Sequence, residues 1–260
     1  MGLQYNRPIT KTLKLAAMGC ALNLSLGAIP TLADELDPLP PIDWNGAFYG
    51  LTVGGARLDV SATDTGNGPT GPWLATGAKA TDDTRGFVGG ARVGYNAVLD
   101  RMLVGVEADI SGSNISQSKT AFEVTGTTDI NWLATLRGRA GYIFPAFGTD
   151  VLLYGTGGLA LAGIEHSIGD TGTTVTAGLM GPNSSSETRT GYAVGGGLEM
   201  PITSNMFLGV EYLYMDFGST SLSGICVVCF GGGTPGTPYP FDIDDEVQTI
   251  RVNLTWKLGG

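Results

Sequence analysis

The feature that most restricts the fold is a series of segments, each about ten residues long, in which apolar residues alternate with polar ones or glycine. In Ile130–Tyr142, the residues Ile130, Trp132, Ala134, Leu136, Ala140 and Tyr142 point one way, and Asn131, Leu133, Thr135, Arg137, Arg139 and Gly141 the other. A period of two puts these sets on opposite faces of a strand. A soluble sandwich would bury the apolar face and wet the polar one. A transmembrane barrel turns the apolar face to lipid and hides the charges in its lumen.

Eight such segments lie near 44–60, 84–96, 101–115, 126–143, 150–165, 188–201, 206–217 and 245–258. Their connections are of two kinds. Ala97–Asp100, Phe144–Thr149 and Ile202–Asn205 are short turns, whereas 61–83, 116–125, 166–187 and 218–244 are long and rich in Gly, Thr, Ser, Asn and Pro. Alternating short and long connections belong to an up-and-down barrel with turns on the periplasmic side and loops outside. The expected fold is therefore an all-β, eight-stranded antiparallel up-and-down transmembrane β-barrel over 44–258. Glycine (42 residues) is spread through the strands, where it weakens a sheet unless curvature or crowding calls for it; a small barrel supplies both.

Parity also assigns a lumen. Glu107 and Asp109 lie opposite Met102, Val104, Val106, Ala108 and Ile110; Glu199 opposes Tyr192, Val194, Leu198 and Met200. Glu211 opposes Leu208, Val210, Tyr212 and Tyr214, and Arg251 opposes Ile250, Val252, Leu254 and Trp256. With Arg92, Arg137 and Arg139, four acids face four arginines. Buried ions persist only when paired, because each unpaired one costs several kcal/mol. An eight-stranded barrel is just wide enough for side chains to fill it. A structural ion-pair core is the favoured reading, and a charged constriction selecting ions the other. The fifth segment, Val151–Glu165, is apolar on both faces and gives no assignment. Trp44, Tyr49, Tyr95, Trp132, Tyr142, Tyr154, Tyr192, Tyr212 and Trp256 stand near strand ends, as interfacial girdles do.

The N-terminus reads as an export signal over 1–33. Arg7, Lys11 and Lys14 precede the uncharged run Leu15–Ile29, and Thr31-Leu32-Ala33 offers small residues for cleavage before Asp34. Asp34–Asp43 (DELDPLPPID) is an acidic, proline-rich tether on the periplasmic side. Cleavage leaves 11 Lys and Arg against 24 Asp and Glu, a net charge near −13. Such a charge argues against nucleic acid as a partner.

The stretches DWNGAFYGLTVGG (43–55), GFVGGARVGYN (86–96), VGVEADISGS (104–113), WLATLRGRAGY (132–142), LLYGTGGLALAG (152–163), YAVGGGLEM (192–200), FLGVEYLYMDFGS (207–219) and VQTIRVNLTWKL (247–258) together resemble the porin-family outer-membrane β-barrel proteins of alphaproteobacteria, relatives of the opacity and OmpA-like small barrels. The resemblance implies a surface-exposed eight-stranded barrel of the immunogenic surface-protein type. Its partners would be outer-membrane lipid and the barrel-assembly machinery. Chains of this kind usually end on an aromatic residue, whereas this one ends Trp256-Lys257-Leu258-Gly259-Gly260; either Trp256 and Leu258 supply the assembly signal from within, or insertion is less efficient.

Other chemistry finds little support. Cys226 and Cys229 form a CxxC in the last loop, read as a local disulfide, with free or intermolecular thiols next. Zinc would need further ligands, and the sole histidine, His166, is expected to be an exposed strand-end residue. With one imidazole and Ser167 on the opposite face, no nucleophile–base pair is expected, so the chain reads as no enzyme. No phosphate loop, dinucleotide motif or metal cluster implies a cofactor. The function expected is structural and interactive at the outer membrane. The alternatives are a narrow diffusion porin and a surface binder of host or haem-type ligands.

Overall fold

The computed structural model describes residues 42–65, 77, 79–121, 124–170, 183–225 and 238–258. Eight strands follow in chain order: β1 (Gly46–Asp64), β2 (Lys79–Leu99), β3 (Met102–Ala121), β4 (Val124–Ala146), β5 (Thr149–Asp170), β6 (Asn183–Pro201), β7 (Met206–Ile225) and β8 (Pro238–Lys257). Each pairs antiparallel with the next, and β8 returns to β1, closing the barrel and leaving no sheet edge. The short connections are tight. Phe147 and Gly148, both at positive φ (54° and 79°), form the two-residue β4–β5 turn that the strand twist favours.

The outer wall is a continuous apolar band. Leu51, Val53, Phe87, Val93, Val106, Ile110, Leu136, Leu159, Val210 and Ile250 are all more than half exposed. A soluble fold would bury these side chains; lipid accepts them. The rings of Tyr49 and Trp256 stack 5.7 Å apart on this wall near the short turns.

The strands are longer than alternation indicates. The segments read as loops near 61–83, 116–125, 166–187 and 218–244 are partly strand. β1 runs to Asp64, and β3 stays paired with β4 out to Ala121 opposite Val124. β5 and β6 extend to Asp170 and from Asn183, and β7 and β8 to Ile225 and from Pro238. Beyond the lipid band neither face needs apolar residues, so alternation stops while backbone pairing continues. Polar cross-strand contacts replace it: Ser219 and Ser221 donate to Asp244 (2.5 Å) and Asp242 (2.6 Å).

Among the described residues, three bulges interrupt the ladder, at Gly112/Ile115, Ile130/Trp132 and Asp216/Ser219. The second corrects the face assigned to Ile130. That residue and Leu133 are both buried in the lumen, while Asn131 is exposed, because the extra residue reverses parity between them. Cys226 and Cys229, and the segments read as signal and most of the tether, lie outside the described residues.

Candidate functional site

The eight charged residues assigned to the lumen occupy one layer. Arg92 comes from β2, Glu107 and Asp109 from β3, Arg137 and Arg139 from β4, Glu199 from β6, Glu211 from β7 and Arg251 from β8. All eight are buried. Arg137 is the hub. Its guanidinium meets Glu211 at 2.8 Å and Asp109 at 3.0 Å, and also pairs with Glu107. Arg139 holds Glu199 at 2.7 Å and Glu107 at 3.3 Å. Arg251 joins Asp109 (2.9 Å) to Glu211 (3.0 Å), and Arg92 joins Glu199 (3.1 Å) to Glu107. Every carboxylate thus meets at least two arginines. That is the condition under which buried charge is tolerated in a low-dielectric interior.

Neighbouring groups hold the layer in place. Arg137 Nε donates to Thr135 Oγ1 at 2.8 Å, and Thr135 in turn donates to Asp109. The Tyr154 hydroxyl donates to Glu211 at 3.3 Å while the Arg139 guanidinium lies 4.3 Å from the Tyr154 ring centre. Arg92 and Arg139 also stand 5.4 and 5.5 Å from the Phe48 ring centre. Glycine makes room for these rings: a methyl group on Gly94 would overlap Phe48.

An apolar layer lies on either side. Towards the short turns Trp44, Leu103, Ile143, Leu152, Tyr154 and Phe207 pack together. Towards the loops a larger cluster includes Leu58, Ile115, Ile130, Ile164, Met215 and Val247. The positions of Trp44 and Tyr154 correct the girdle reading: Trp44 is 6% exposed and Tyr154 3%, and both point inward. β5 is apolar on both faces because its inward row (Leu152, Tyr154, Ala160, Ala162, Ile164) serves both apolar layers.

Above the outer apolar layer sits a second polar cluster, which sequence reasoning missed. Arg189 pairs with Asp245 at 2.5 Å and donates to the Phe217 and Gly218 carbonyls at 3.0 and 2.8 Å. His166 is buried, not exposed: its Nδ1 lies 3.0 Å from Thr128 Oγ1 and its Nε2 3.4 Å from Asp245. Counting by twos from Glu199 to Arg189, and from Arg251 to Asp245, would have put both inside. The strand extension that carries His166 inward has no such signal. Among the described residues, no group of three or more His, Cys, Asp or Glu side chains is placed to hold a metal ion.

The family model for the outer membrane protein beta-barrel domain matches residues 21–257. The chain belongs to this family. The 31 kDa outer-membrane immunogenic protein of Brucella melitensis is 30% identical over 94% of this chain and 94% of its own length. The 22 kDa outer membrane protein of Rhizobium leguminosarum is 35% identical over 52% of this chain and 55% of its own. Among solved structures, the outer membrane protein OprG of Pseudomonas aeruginosa is 14% identical, covers 82% of this chain and 97% of its own, and superposes with a TM-score of 0.46. The protein is thus a surface barrel of the cell outer membrane, and the lipid of that membrane surrounds its apolar wall.

Proposed function

We propose that this outer-membrane barrel is a closed structural wall element whose strand extensions and loops meet the outside. One observation carries the reading: an ion-pair layer in which every carboxylate meets at least two arginines crosses the lumen and is bounded on both sides by apolar layers. A narrow porin lined by Arg92, Glu107, Arg137, Arg139 and Glu211 would need these charges to face water. Here each is neutralised by its neighbours, and a permeant ion would have to break several charged contacts and cross both apolar layers.

Thr128, His166 and Asp245 have the residue types of a nucleophile, a base and an orienting acid, yet Asp245 is bound to Arg189 and no well-formed hydrogen bond joins it to His166. No catalytic step is assigned to them. The barrel-assembly machinery would insert the chain, and host molecules or other ligands would meet it at the loop end. The name of the Brucella relative, an immunogenic protein, supports such exposure. Cys226 and Cys229 would close a local disulfide in the last loop.

Liposome swelling tests the closed lumen. Vesicles carrying the refolded barrel should equilibrate small sugars no faster than protein-free vesicles. Swelling that scales with the amount of folded protein, identified by its heat-dependent gel mobility, would overturn the reading.

A further inference from the structure

The two apolar layers are built differently. Among the described residues, every contributor towards the loops is a strand residue, whereas the turn-end layer takes Trp44, with Ile42 packed against it, from the chain before β1. We propose that Ile42–Asn45 form a releasable seal over the turn end of the lumen, with Trp44 as its plug and the Asp43–Lys257 ion pair as its latch.

The seal is stitched down at a few points. The Trp44 and Phe207 ring centres are 4.6 Å apart. The Asn45 side-chain carbonyl accepts the Val98 amide at 2.7 Å at the end of β2. Lys257 donates to Asp43, whose carboxylate also accepts the Asn45 amide at 2.9 Å. The Asp43 side chain is 61% exposed. Its partner Lys257 is only 10% exposed, so it is the acid end of the pair that water solvates and salt screens, and this is the contact of the seal most open to competition from solvent.

Behind Trp44 lies a pocket of about 10 Å³, room for roughly one water molecule. Phe48, Asn96, Arg139, Glu199 and Thr255 help to line it. Trp44 Nε1, Asn96 Oδ1, Arg139 Nε and Thr255 Oγ1 are buried there without a protein partner. Once the plug lifts, solvent therefore has polar groups to hydrate right up to the ionic layer. Ile42–Asn45 also receives the chain from its N-terminal side, so a pull on that chain acts directly on the plug.

This inference rests on the closed-lumen reading, and thiol labelling separates the two. Thr255→Cys and Thr249→Cys place reporters on β8 on either side of Arg251, in a Cys226→Ser/Cys229→Ser background, with Asn96→Cys replacing Thr255→Cys should the latter fail to fold. With folded barrel in micelles and a small polar thiol reagent, both reporters should react slowly. Trp44→Ala should accelerate Thr255→Cys about tenfold or more and leave Thr249→Cys unchanged. Asp43→Asn should accelerate Thr255→Cys about threefold. Fast reaction of both reporters in the parent would overturn the closed lumen itself. Fast reaction of Thr255→Cys alone in the parent, or equal rates with and without Trp44, would overturn the seal while leaving the closed lumen standing.

Discussion

At the residue scale, the lumen is governed by what each buried charge loses if a partner is removed. Glu211 meets Arg137 and Arg251, so Glu211→Gln leaves two guanidinium groups facing a neutral amide. That change should cost about 3–5 kcal/mol, read from urea unfolding of the refolded barrel. Glycine gives a sharper contrast. Gly94→Ala should cost about 1–3 kcal/mol, because a methyl there overlaps Phe48 and the Val106 carbonyl; Gly89→Ala, with its nearest neighbour at 3.7 Å, should be close to neutral. The hydrogen bond from Lys257, aided by the Asn45 amide, holds the Asp43 carboxyl below its ordinary value. The latch should therefore be fully formed at about pH 5 and above and lost only as pH falls through that lowered value. The NMR shift of the Val98 amide, which Asn45 anchors, reads this directly; movement between pH 7 and 5 would contradict it. Parity picks out the eight charges because an arginine or glutamate on an alternating strand belongs to the non-lipid face. Their partners depend on cross-strand register, which alternation does not contain. An aromatic near a strand end looks the same in a girdle and in a plug, so alternation does not separate Trp44 and Tyr154 from the girdle residues.

At the scale of the strand, bulges decide which residues enter the core. Ile130 and Leu133 are both inward across the Ile130/Trp132 bulge. Ile130→Asn should therefore destabilise the barrel by about 2–4 kcal/mol, as for an unsatisfied polar group in a core, while the neighbouring Asn131→Ile should change stability by less than about 1 kcal/mol. Without the bulge Ile130 would leave the core and Ile130→Asn would lose that buried-polar cost, and the same unfolding assay distinguishes the cases. The existence and order of the strands follow from period two because lipid imposes an apolar outer row. The outer third of each strand carries no such demand, so its extent emerges only from pairing such as Ser221 with Asp242. The short turns are legible because hairpin geometry limits their length, as at Phe147–Gly148.

At the scale of the whole molecule, the barrel is a filled cylinder. Its lumen alternates apolar, ionic, apolar and polar layers, from Trp44 and Phe207 through Arg137 and Glu211 to Ile164 and Met215 and then Arg189 and Asp245. The layering follows from composition and diameter together: eight strands leave space for side chains, and the inward rows supply charges in mid-wall with large apolar groups on either side. A lumen filled in this way does not conduct, and single-channel recording of the refolded barrel in a planar bilayer measures that property itself. The bilayer should stay silent for protein shown to be folded and inserted. Stable unitary steps whose ion selectivity changes in Glu211→Gln would contradict it.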